Sequence, residues 1–125
     1  YSKEMDTPGI RLAMIVNRSC RQPDPAQTLI SRFCNDEAKN GPFARSSTFE
    51  IHNHKEYPPP GLDYNVNSWV RCTCEKKVDD QSLLVLQDIN TLQNDERTFQ
   101  YDDIKKFFSS AAIAADEILG RYFPG

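Results

Sequence analysis

The chain has only two histidines, His52 and His54, one residue apart and bracketed by Glu50 and Glu56. In an extended segment alternate residues share a face, so this spacing puts two imidazoles and two carboxylates on one side of a strand. Such a set suits general acid and base work or a metal ion. With Arg71 as a nearby cation it resembles what a ribonuclease needs, a base and an acid around a 2′-hydroxyl and a positive charge for the phosphate. The catalytic candidates are therefore Glu50, His52, His54 and Arg71. Against them stands the ordinary polarity of a solvated strand face. No third, distant ligand accompanies the histidines, so no metal site is expected. No nucleophile elbow, phosphate loop, zinc-protease helix or dinucleotide fingerprint occurs, and no cofactor is expected.

A second constellation speaks for recognition. Trp69 and Arg71 share a strand face, and Tyr57 and Tyr64 border the Pro58-Pro59-Pro60 run. Trp, Tyr and Arg dominate binding hot spots, so Tyr57, Trp69 and Arg71 are the binding candidates. The plainer reading is an indole covering the back of a sheet with a guanidinium laid over it. The triple proline reads as a stiff connection between strands, with a peptide ligand for an aromatic groove as the lesser alternative.

The four cysteines, Cys20, Cys34, Cys72 and Cys74, bear on compartment. An even number in a short chain reads as two disulfides in an exported protein. A zinc site fits less well, because Cys72-Thr73-Cys74 is tighter than the usual paired-ligand spacing and Cys20 and Cys34 lie far apart. Cys72 and Cys74 should face the core side of one strand, too far apart for an unstrained bridge to each other. Two pairings remain open: Cys20–Cys72 with Cys34–Cys74, or Cys20–Cys74 with Cys34–Cys72. The sequon Asn17-Arg18-Ser19 is a glycosylation candidate at Asn17. A start at Tyr1, with Met5 close to Pro8-Gly9, is what removal of a secretory signal would leave, and the localisation expected is extracellular.

The elements that must position these groups follow from periodicity. Residues 1–9 read as a flexible lead-in ending at a Pro-Gly turn, and 10–125 as one α/β-sandwich domain. Ile10 to Val16, apolar on both faces, reads as a central buried strand. Asp24-Pro25 starts a helix, with Gln27 at the capping-box position, and Asn40-Gly41-Pro42 ends it through a left-handed cap, giving a helix over 25–39 with Leu29, Ile30, Phe33 and Cys34 on its apolar face. Strands are predicted over 47–54, 68–76 and 82–89, the last two joined at Asp79-Asp80. Residues 90–97 read as polar loop and 98–101 as a short fifth strand or a lead-in. From Asp102 a long amphipathic helix carries Ile104, Phe108, Ala111, Ala112, Ala115, Ile118, Leu119 and Tyr122 inward; the stripe, Phe107 and Phe108 included, reads as core, with Phe107 the one position open to the outside. The order β-α-β-β-β-α predicts an α+β fold, a two-layer sandwich with a mainly antiparallel sheet of four to five strands and two helices on one face.

Bulk composition narrows the classes. The 125 residues are 38% hydrophobic and 26% charged, with 15 Lys and Arg against 18 Asp and Glu for a net charge of −3. A chain of this size buries enough surface for one core without staples. The acidic balance and the lack of a basic cluster argue against phosphate neutralisation on nucleic acid and against an anionic membrane surface. No apolar run approaches a membrane span.

A short chain with Cys20, Cys34 and Cys72-Thr73-Cys74, two helices and no catalytic motif resembles the small secreted effectors and killer-toxin-like proteins of fungi. The resemblance covers architecture and cysteine economy along most of the chain. It implies a secreted protein, monomeric or weakly self-associating, that acts by binding a host or competitor protein. Secreted ribonuclease-like effectors are a second comparison, from which the long C-terminal helix departs, so the hydrolase built on Glu50, His52 and His54 stands as the alternative.

Overall fold

A computed structural model describes residues 11–92 and 98–124. The lead-in expected over 1–9, and most of the loop expected over 90–97, lie outside those residues. The elements, in order, are β1 (Ala13–Arg21), α1 (Pro25–Phe33), α2 (Asp36–Asn40), β2 (Ile51–Tyr57), β3 (Val66–Lys77), β4 (Asp80–Thr91) and α3 (Tyr101–Tyr122). The four strands form one open sheet in the order β1-β4-β3-β2. The fold is α+β, an antiparallel four-stranded sheet with three helices.

The predicted central strand is an edge strand. Among the described residues β1 pairs only with β4: Thr91 donates its amide to the Leu12 carbonyl, and Gln22 donates to the Gln81 carbonyl, each at 2.9 Å. Both pairs keep one antiparallel register. Apolar character on both faces had pointed to the middle of the sheet, yet Ile15 is 61% exposed. The middle is taken instead by β3 and β4, where Leu83, Val85, Gln87 and Ile89 alternate inward and Leu84, Leu86 and Asp88 outward.

Two short helices replace the single helix predicted over 25–39. Asp24 caps α1 through Oδ1, which accepts from the Gln27 amide at 3.2 Å. The Gln27 side chain turns to Ser31 rather than closing a capping box. The helix breaks at Cys34, whose backbone is extended, because Asn35 caps a new turn by accepting from the Ala38 amide at 2.8 Å. Gly41 ends α2 at φ −107°, without the left-handed cap. Residues 98–100 form no strand and run irregularly into α3.

The chain divides into two compact units, through both of which the strands run. The first comprises residues up to Val16, His54–Trp69 and Gln87 onward. Its core joins Leu12, Val66 and Ile89 of the strand region to Phe99 and to Phe107, Ala111, Ala114 and Ala115 of α3. This stripe corrects the helical register: Phe107 is fully buried and Phe108 is 40% exposed, with Ala112 also outside. Gln87 lies under α3, donating from Nε2 to the Ala115 carbonyl at 3.0 Å. Gly61, at φ +92°, turns the chain where Ser110 donates its hydroxyl to the Pro60 carbonyl; a Cβ on Gly61 would come within 2.9 Å of that hydroxyl.

The second unit comprises Asn17–Asn53 and Val70–Leu86. Its buried residues include Pro25, Ala26, Leu29 and Ile30 of α1 with Val70, Cys72, Leu83 and Val85 of the strands. Phe33, expected on the buried face of the helix, is 38% exposed. Within this unit Phe43 and Phe49 pack edge to face, with centroids 5.1 Å apart.

Candidate functional site

The strands alternate their side chains between two faces, and the face that carries Trp69 holds the candidate site. Trp69, the only tryptophan, is 45% exposed in β3. His54 of neighbouring β2 stacks on it, with ring centroids 4.0 Å apart and planes 17° from parallel. Beside this stack runs a polar ladder within the first unit. The Nε2 of His54 is 2.8 Å from Asn67 Oδ1, Asn67 Nδ2 donates to Asn90 Oδ1 at 3.0 Å, and Asn90 Nδ2 donates to Asp88 Oδ1 at 3.0 Å. Arg11 also reaches Asn90 Oδ1 at 3.0 Å and the Thr91 carbonyl at the same distance.

The ladder has one direction. Ionised Asp88 can only accept, so Asn90 donates with its nitrogen and offers its oxygen to Asn67. Asn67 in turn offers its oxygen to His54, which makes Nε2 of the imidazole a donor and leaves Nδ1 as the ring's acceptor in the neutral state. A chain of amides anchored on a carboxylate thereby fixes the tautomer and tilt of the ring that lies on Trp69.

The catalytic candidates are divided. Glu50, His52 and Arg71 come together in the second unit: His52 Nε2 lies 3.4 Å from Glu50 Oε2, and Arg71 Nη2 lies 3.4 Å from Glu50 Oε1. All three side chains are about half exposed. His54 is engaged elsewhere, on Trp69 and Asn67, and does not share a partner with His52. Glu50 and Arg71 line a shallow concavity of about 390 Å³ with Asn17, Ser19, Thr73, Leu84 and Leu86, in which His52 takes no part. Among the described residues no group of three His, Cys, Asp or Glu side chains is placed to hold a metal.

The binding candidates are divided as well. Trp69 and Arg71 share the outer face, whereas Tyr57 points to the opposite one, where its hydroxyl bonds with Ser68. Burial is the largest influence on that phenol and raises its pKa; the Ser68 bond works against it, Glu117 adds to it and Arg121 opposes it. Tyr64 packs in the first unit's core near Phe99.

No disulfide joins the four cysteines in this structure, where two were expected. Sheet order supplies one reason. Cys20 lies in β1 and the Cys72–Cys74 pair in β3, with β4 between them. Two strand spacings amount to about 9.5 Å, beyond the roughly 7 Å that a disulfide spans between Cα atoms. Cys34 sits where α1 ends, not on the buried helix face. Cys74 donates its thiol to the Phe49 carbonyl at 3.5 Å. Cys72 is wholly buried, and burial pushes its thiol up to about 11 from 9.0. Asn17 is exposed on β1.

Asn67 and Asn90 were not anticipated as site residues. Asn67 precedes the predicted start of its strand and Asn90 fell in a predicted loop, so the alternation that aligns them with Trp69 and Asp88 was cut off at both ends. No protein-family description, curated protein or solved structure matches the chain.

Proposed function

We propose that the chain is a recognition module that binds a partner protein through the sheet face centred on Trp69. The observation that carries this reading is the Trp69–His54 stack, a half-exposed aromatic pair held in one orientation by the Asn67–Asn90–Asp88 ladder. A rigid aromatic that loses little entropy on docking is what a binding hot spot requires. Exposed Ile15 adds apolar area on the same side. The reading includes a two-layer arrangement in which helices cover the inner side of the strands in each unit and the Trp69 side stays open. An exported, effector- or toxin-like role against a host or competitor protein belongs to the proposal; the resemblance in size and element order and the exposed sequon at Asn17 support it.

The test is cross-linked capture with the wild-type chain, Trp69→Ala and Glu56→Ala. A protein captured by wild type and Glu56→Ala but lost with Trp69→Ala is the expected result. Capture indifferent to Trp69 overturns the reading. RNA cleavage by the wild-type chain that disappears in His52→Ala would put the Glu50–His52–Arg71 cluster, and hydrolysis, in its place.

A further inference from the structure

We propose that β1 is an association edge, and that its occupant is β1 of a second copy of this chain, turned about a two-fold axis at Ile15 so that two sheets join antiparallel. The pairing with β4 decides which groups β1 has to offer. Leu12 accepts from β4 through its carbonyl and Gln22 donates to β4 through its amide, in a single register. In an antiparallel ladder the amide and carbonyl of one residue point to the same side, and successive residues alternate. The even-numbered residues of β1 therefore turn toward β4, and Ala13, Ile15, Asn17, Ser19 and Arg21 present their backbone groups outward. Nine residues make this an edge longer than β2.

An edge of this kind is normally blunted by proline, lysine or an inward charge. β2 is: it carries Lys55 and Glu56 and runs into Pro58, Pro59 and Pro60. The apolar half of β1, Ala13-Met14-Ile15-Val16, carries none of these, and Ile15 is 61% exposed. Among the described residues one sheet edge is open and the other guarded, which favours a closed pair over an endless ribbon.

The self-pairing register follows from side-chain matching. Turning the strand about Ile15 places Ile15 against Ile15 of the second copy on the outer face. It places Met14 against Val16 on the inner face and Arg18 against Leu12, so no two cations stand opposite each other. A turn about Asn17 sets Val16 against Arg18 and Ile15 against Ser19, and leaves the exposed isoleucine without an apolar match. Like charges directly across a pair repel, and apolar cross-strand pairs attract, so the first register is preferred. An acidic peptide is the rival occupant, because no carboxylate occurs from Thr7 to Pro23; the arginines there are already engaged in part, Arg21 with Asp80 at 3.0 Å and Arg11 with Asn90.

The experiment measures mass by sedimentation equilibrium over a range of chain concentrations, together with residue-resolved amide exchange. The expected result is a concentration-dependent dimer in which the amides of Ile15 and Asn17 gain protection as the dimer fills. Ile15→Lys and Ile15→Glu each set like charges across the axis and should weaken association at least about tenfold. An equimolar mixture of the two should restore it. A chain that stays monomeric at millimolar concentration overturns the proposal, as does a dimer in which the Ile15 and Asn17 amides exchange freely. Should both variants fail to fold, the wild-type exchange pattern alone decides between these outcomes. Protection of these amides only when an acidic peptide is added assigns the edge to that partner and overturns self-pairing.

Discussion

His54 lies flat on Trp69 at 4.0 Å while its Nε2 is tied to Asn67 at 2.8 Å, so one ring is gripped on its face and its edge at once. Such an aromatic pair contributes about 1 kcal/mol beyond area burial. Because Trp69 is the sole tryptophan, its emission reports the stack directly. His54→Ala should expose the second indole face and move the emission to longer wavelength. Asn67→Ala should move it part of the way by freeing the imidazole, and His52→Ala should leave it in place. An emission maximum unchanged in His54→Ala would show that the rings do not stack in solution.

The same ladder shows how far the residues could be read without coordinates. Period-two alternation put Val70, Cys72 and Cys74 on one face of a strand and Trp69 and Arg71 on the other, and both assignments match the observed burial. Alternation says nothing about which strands are neighbours. The pairing of β1 with β4, which separates Cys20 from Cys72, and the row from His54 to Asp88 both depend on that order. Tyr57 enters the binding candidates because it borders the Pro58-Pro59-Pro60 run, and the pleat of β2 turns it to the other side.

The helical stripe of α3 is the clearest case of a pattern misread by one residue. Phe107 and Phe108 are adjacent aromatics, and hydrophobicity cannot choose between them. Packing chooses Phe107, which is fully buried among Ala111, Ala114 and Ala115, while Phe108 packs edge to face with it at 5.1 Å and stays 40% exposed. Phe107→Ala should cost about 4 kcal/mol of unfolding free energy in urea titrations, and Phe108→Ala less than about 1 kcal/mol. Equal losses would mean that the stripe of α3 is rotated from the one described.

Gln87 offers a sharper test of the same interface. The residue is 1% exposed, its amide donates to the Ala115 carbonyl at 3.0 Å, and Oε1 has no partner among the described residues. Gln87→Leu removes a hydrogen bond and an unsatisfied acceptor together, so its net effect should stay within about 1 kcal/mol. Gln87→Glu removes the donor and buries a carboxylate with no cation beside it, which should cost about 3 kcal/mol or more at neutral pH. Equal stability of the two variants would indicate that water reaches the amide.

Cys72 ties stability to pH on the alkaline side. Burial raises its thiol from 9.0 to about 11, so the folded chain holds this proton after the unfolded chain has released it. A group raised in the folded state lends its stability fully below the unfolded value, and that share is lost as pH climbs through the folded one. The unfolding free energy should therefore be flat up to about pH 9 and decline between about 9 and 11. Tyr57, raised from 10.0 chiefly by burial, adds a decline of the same sign. Cys72→Val should make the slope shallower and leave the Tyr57 share, which urea midpoints measured across this range would resolve. Alkylation gives a second readout: exposed Cys20 should react at once, and Cys72 only as fast as the strands around it open. Rapid labelling of Cys72 in the native chain, or an alkaline slope untouched by Cys72→Val, would show that this thiol is not buried in solution.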